Sequence, residues 1–186
     1  MKTKETQIVT GAFGYSGGYI AKKLIEQGKI VKTLTNSPKR KHSLNNSVEA
    51  LPLCFNDKSR LVTSLKGCDV LFNTYWVRFN HKRFVHSEAV ENTLTLFECA
   101  KIAKVRKIIH ISITNPDKNS DLEYFSGKAI LEDALVQSGM SYSILRPTVL
   151  FGKEDILINN IAWCLRKLPV FGIFGDGNYK LQPIYV

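Results

Sequence analysis

The chain is short of paired cysteines, long apolar runs and acidic residues, and each shortage removes a class of function. Its four cysteines, Cys54, Cys68, Cys99 and Cys164, are scattered through apolar contexts and form no C-x-x-C. That argues against a metal knuckle or a dithiol redox motif and for buried free thiols in a reducing compartment. His81 and His86 stand five apart, which does not place two ligands on one helical face, so no metal site is expected. No apolar run comes near the roughly 18 residues a membrane span needs. Residues 1–6 lack the apolar core of a signal peptide, which makes the cytoplasm the expected compartment. Internal repeats and low-complexity segments are missing too. Asp and Glu number 16 against 26 Lys and Arg, a net charge of +10. The cations concentrate at residues 39–41, 78–83 and 101–107. Such a balance permits contact with nucleic acid or an anionic surface. No nucleic-acid motif accompanies it, so that reading rests on charge alone.

What is present begins with a glycine-spaced turn. Thr10-Gly11-Ala12-Phe13-Gly14-Tyr15-Ser16-Gly17 follows a short apolar run and opens into a helical pattern from Gly18. The order reads strand, tight turn, helix. A helix start offers unpaired N–H groups and a positive dipole end, which together suit a pyrophosphate. The spacing is G-x-x-G-x-x-G rather than G-x-G-x-x-G. Further strands are expected at 30–34, 48–53, 69–73, 106–112 and 142–145. Helical periodicity marks 81–104, 124–137 and 154–167. Strands separated by helices imply right-handed crossovers and a parallel sheet covered on both faces. The expected fold is therefore α/β, a doubly wound Rossmann-type sheet with ligand at the carboxyl ends of its strands. Residues 1–150 read as the dinucleotide-binding domain and 151–186 as the start of a small C-terminal substrate lobe. The final apolar stretch, 181–186, reads as a strand, and the expectation is of a chain continued by a further C-terminal part.

Tyr124 and Lys128 are four apart on an expected helix and so share a face. A nearby ammonium favours the tyrosinate, which suits a tyrosine to proton transfer near neutral pH. Ser112 and Thr114, at the end of the fifth expected strand, offer hydroxyls to a substrate oxygen. The second strand ends at Thr35-Asn36-Ser37 with no carboxylate, and Lys39-Arg40-Lys41 follows. A carboxylate there would repel a 2′-phosphate, whereas the Arg40 guanidinium can bind one, so NADP is favoured over NAD. Residues 75–84, from Tyr75 and Trp76 through Phe79, combine aromatics with cations, a mixture suited to a planar or anionic substrate.

Taken jointly, these motifs resemble the short-chain dehydrogenase/reductase superfamily in its extended or atypical branch, the NAD-dependent epimerase/dehydratase group. The matching residues are 10–17, Val90-Glu91-Asn92-Thr93, Ile109-His110-Ile111-Ser112, Tyr124-x-x-x-Lys128, Leu145-Arg146-Pro147 and Phe151-Gly152, then Gly175-Asp176-Gly177 and residues 182–186. The resemblance implies that Tyr124 is the general acid/base and that Lys128 holds the nicotinamide ribose. Ser112 or Thr114 would bond the reacting oxygen. Gly11, Phe13, Gly14, Tyr15, Ser16 and Gly17 would line the pyrophosphate, with Asn36 and Arg40 beside the adenosine ribose. Asp57 would sit by the adenine, and Asn73 and Thr74 along the nicotinamide half. The substrate would be a small molecule, a sugar nucleotide or a small carbonyl compound, and homo-oligomerisation is left open. The chain departs from extended members in having Ile113-Thr114-Asn115-Pro116 after Ser112 and only twelve residues from Ser112 to Tyr124. That shortening resembles the atypical branch, which includes NmrA-like redox sensors and an accessory subunit of respiratory complex I. Two readings follow: a nicotinamide-dependent oxidoreductase or epimerase-type enzyme, and a non-catalytic dinucleotide-binding sensor or assembly subunit.

Overall fold

The computed structural model describes residues 4–77, 80, 84–173 and 175–186, and within them two compact units, Met1–Arg146 and Pro147–Val186. The first is built on a six-stranded sheet in which every pair is parallel. Its strands are β1 (Thr6–Thr10), β2 (Ile30–Thr35), β3 (Glu49–Pro52), β4 (Val70–Asn73), β5 (Lys107–Ile111) and β6 (Ser141–Leu145), in the order β3-β2-β1-β4-β5-β6. The direction of winding reverses between β1 and β4, which opens a crevice at their carboxyl ends.

Four helices connect these strands: α1 (Tyr15–Glu26), α2 (Lys58–Leu65), α3 (His86–Ile102) and α4 (Glu123–Gln137). Adjacent side chains on β1 enter different cores, because successive residues of a strand face opposite ways. Ile8 joins Leu61, Leu65, Leu96, Leu131 and Leu135 under α2, α3 and α4. Val9 joins Ala21, Leu24 and Val31 beside α1. Parallel strands need such cover on both faces.

The second unit pairs β7 (Val149–Phe151) with β8 (Pro183–Tyr185) in a two-stranded parallel sheet, with α5 (Leu157–Lys167) between them in sequence. Asp155 caps α5, its carboxylate accepting from the backbone N–H groups of Leu157, Ile158 and Asn159. No residue of α5 is buried, and Trp163 and Leu165 are exposed.

The expected strands are all present within two residues of their bounds. Two short elements, α2 and β7, add to the expected set. The long helix begins at His86 rather than 81. Residues 78, 79 and 81–83, which include Phe79, His81 and much of the second basic cluster, lie outside the described residues. Among the described residues no helix is long and apolar enough to cross a membrane, and no group of His, Cys, Asp or Glu is placed to hold a metal ion.

Candidate dinucleotide site

The turn after β1 is held by threonines buried in the sheet. Thr33 Oγ1 donates to Val9 O at 2.8 Å and accepts from Ala12 N at 3.0 Å, tying β2 to both sides of the turn. Gly11 N donates to Leu34 O at 3.1 Å, and Gly11 adopts a left-handed φ of 69°, where a side chain is strained. Gly17 meets a different constraint. A Cβ there would stand 2.3 Å from Gly11 O, so only glycine lets α1 approach the turn this closely. Phe13 buries its ring and lies 5.5 Å from the His42 ring. Tyr15 and Ser16 open α1, whose N-cap is Gly14; no side chain caps it and no acid stands in its first turn. That N-terminus keeps its polarity for a ligand, as a phosphate requires.

Across the crevice, β4 delivers Asn73 and Thr74. Thr10 Oγ1 accepts from Thr74 N at 2.7 Å and from Tyr75 N at 3.0 Å, while Thr74 Oγ1 donates to Thr10 O. Asn73 is fully buried between Thr10 Oγ1 at 3.2 Å and His110 Nδ1 at 3.0 Å. Burial, helped by the Lys128 charge, pulls the His110 pKa down to about 3. His110 is therefore neutral at ordinary pH and serves as a hydrogen-bonding pin. Three further candidates follow β2 and β3, on the side of the sheet away from β4. Asn36 and Arg40 are exposed after β2, Arg40 N donating to Ser37 O. Among the described residues, no ion pair engages Lys39, Arg40 or Lys41. Asp57 has a structural duty as the N-cap of α2, accepting from Arg60 N at 2.9 Å.

The remaining candidates gather where β5 and α4 meet. Ser112 is buried, with Oγ unpaired, and its N–H donates to Leu145 O at 2.7 Å. Thr114 is half-buried two residues on. Lys128 is 2% exposed, and its Nζ donates to Ile111 O at 2.9 Å and lies 4.2 Å from the centroid of the Trp76 ring. Burial lowers its pKa to about 7, although Glu132 pulls the other way. Glu132 in turn holds Arg146 through two bonds, Nε at 3.0 Å and Nη2 at 2.5 Å. Tyr124, one turn before Lys128, stands edge-on to Trp76 at 6.0 Å and to His86 at 5.7 Å. Close packing of α3 on α4 supports this corner: a Cβ on Gly127 would sit 2.9 Å from Val90 Cγ2.

Three contributors were not among the expected site residues. Thr33 and His110 act through the burial of single polar atoms, which no sequence spacing marks. From sequence, His86 offers itself only as a metal ligand. Its position at the first turn of α3, four residues before Val90 of the family motif, is the signal that could have singled it out.

A parallel sheet ordered in this way, with an uncapped glycine turn at its reversal point, defines a dinucleotide-binding α/β domain. The chain belongs to the NAD(P)H-binding family, whose model matches residues 11–159. It is 29% identical over 190 residues to the NADH-ubiquinone oxidoreductase 40 kDa subunit, mitochondrial, of Neurospora crassa, covering 97% of this chain and 49% of that protein. It is 30% identical over 177 residues to photosystem II assembly factor Ycf39 of Cyanidium caldarium, covering 88% and 52%. The chain thus spans about half the length of these relatives. Among solved structures, a UDP-glucose 4-epimerase of Thermotoga maritima, crystallised with UDP-glucose, superposes with a TM-score of 0.75 at 20% identity, over 97% of this chain and 69% of the epimerase. The fold is shared with that epimerase, and the domain is one for a nicotinamide dinucleotide.

Proposed function

We propose that this chain is the dinucleotide-binding part of a nicotinamide-dependent oxidoreductase, with NADP preferred over NAD and Tyr124 as its proton donor. Residues 1–150 hold the dinucleotide, and 151–186 begin a substrate lobe. The observation that carries the reading is Lys128: a lysine buried one turn after Tyr124 and fixed to the backbone beside Ser112. Burying an ammonium is costly, and perturbed groups of this kind cluster at functional sites. When bound, the nicotinamide supplies or accepts hydride at its C4. The Tyr124 hydroxyl gives its proton to the substrate oxygen, converting a carbonyl to an alcohol, and takes it back in the reverse direction. Ser112 Oγ bonds the same oxygen, and the Lys128 ammonium stabilises the phenolate that remains. The uncapped start of α1 receives the pyrophosphate, and the exposed Arg40 reaches the 2′-phosphate.

A second reading, a dinucleotide-binding assembly subunit or redox sensor without turnover, is supported by similarity to the Neurospora subunit and to Ycf39. Titration of the protein with NADPH and NADH, followed by NADPH oxidation in the presence of carbonyl compounds, separates the two. Tighter NADPH binding with turnover that Tyr124→Phe abolishes supports the enzyme. Tight binding with no turnover supports the second reading, and an NADH preference overturns the assignment of NADP.

A further inference from the structure

The corner around Tyr124 contains polar atoms that the proposed chemistry does not use. His86 is 8% exposed, and its Nε2 is buried without a hydrogen-bond partner; Trp76 Nε1 is likewise buried and unpaired. An indole N–H can only donate, and a buried orphan of this kind is costly unless a ligand engages it. The His86 and Trp76 rings lie stacked, 5.7 Å apart and 13° from parallel, and Tyr124 stands edge-on to both. His86 is set in place from the other side. Its backbone N–H donates to Asn80 Oδ1 at 2.8 Å, Asn80 Nδ2 donates to Glu123 Oε2 at 2.8 Å, and that carboxylate lies 3.8 Å from His86 Nδ1. On the N-terminal side of His86 and of Glu123 the chain carries exposed apolar residues: Phe84 at 58%, Val85 at 37% and Leu122 at 62%.

We infer that His86 is a substrate-contacting residue and that the corner takes a planar, largely apolar carbonyl compound rather than a sugar nucleotide. Because His86 and Lys128 already lie over the Trp76 ring, a planar ligand meets these rings at their edges, where Trp76 Nε1 and His86 Nε2 bond its oxygens, and the apolar rim receives its hydrocarbon part. A sugar nucleotide brings many hydroxyls and two phosphates, and among the described residues of this rim Phe84, Val85 and Leu122 supply no partner for them. The inference rests on the proposed reading of the Tyr124 corner, but binding tests it without turnover.

The probe is 9,10-phenanthrenequinone, with UDP-glucose as the comparison, added to the full chain with and without NADPH. The Trp76 indole N–H resonance, assigned by its survival in Trp163→Phe, reports contact. We expect the quinone to move this resonance and UDP-glucose to leave it in place. His86→Phe should weaken quinone binding about tenfold and His86→Gln should recover most of it, as loss and return of one buried hydrogen bond require. Leu122→Ser, an exposed change that leaves the core intact, should weaken it about threefold by removing apolar contact. Movement with UDP-glucose, no movement with the quinone, or unaltered quinone affinity in folded His86→Phe each overturns the inference. Failure of NADPH to bind overturns the proposed function instead, and the indole titration still reads the corner.

Discussion

The glycine turn and the Tyr124 corner lie in one domain and work on opposite principles. The turn functions through what is missing: no side chain at Gly17, no cap on α1 and no acid in its first turn, so backbone polarity faces the ligand. The corner functions through side chains forced into the interior, with Lys128, Ser112, His86 and Trp76 each holding polar atoms away from water. The first arrangement depends on shape and is indifferent to pH. The second depends on charge and desolvation and responds to pH directly. In the proposed enzyme, a site assembled from both binds through the turn and acquires its chemistry from the corner.

Substitutions can separate the two. The largest effect is expected at Gly17→Ala, where a Cβ would lie 2.3 Å from backbone that cannot move aside. The forced displacement of α1 should cost about 3 kcal/mol, visible as a lowered melting temperature, with loss of measurable NADPH binding at every pH. A melting temperature within a degree of wild type would show that the turn is looser than its geometry indicates.

Lys128→Met comes next, and its sign differs. The folded pKa of about 7 lies below the ordinary 10.5, so the unfolded chain binds more protons between those values. Stability therefore rises with pH across that window, and the burial penalty is full below about pH 7. Lys128→Met should be more stable than wild type at pH 6 by about 2 kcal/mol, the advantage shrinking toward pH 10, while turnover is lost. Equal stability at pH 6 would remove the argument that the corner stores an electrostatic cost.

Thr33→Val leaves Ala12 N without its 3.0 Å partner and should cost about 1 kcal/mol with no change in pH dependence, measured by denaturant unfolding at several pH values. The smallest effect is expected at Arg40→Ala. An exposed guanidinium contributes modestly, so NADPH affinity should fall by no more than about fivefold with NADH affinity unchanged, and the difference should vanish in high salt.

The same contrast explains what could be read before the structure was known. The turn was legible because its determinants are local: three glycines at fixed spacing between an apolar run and a helical pattern. Alternation of strand and helix made the parallel sheet legible as well. α2 escaped notice because only Leu61 and Leu65 of its eight residues are buried, which leaves little periodicity to detect. β7 has three residues, fewer than any pattern needs. At the corner, Tyr124 and Lys128 stood out by their spacing, but the depth of Lys128 did not. Its burial depends on Ile111 and Trp76, from two other parts of the chain, and on Glu132 from the next turn of α4. His110 reads from sequence as one polar residue in a β-branched strand, and only the pairing of β4 with β5 places it against Asn73.

The position of Thr10 has a consequence for how the protein comes into being. β1 emerges before every strand it pairs with yet belongs at the centre of the sheet, and the partners of Thr10 Oγ1 at Asn73, Thr74 and Tyr75 follow 63 to 65 residues later. Until β4 has left the ribosome, β1 has one exposed edge and the ligand crevice has one wall. At synthesis rates of about 5–20 residues per second, that interval lasts several seconds. During it the nascent chain presents one unpaired edge of an apolar strand, the kind of edge that chaperones shield and that joins other chains when they do not.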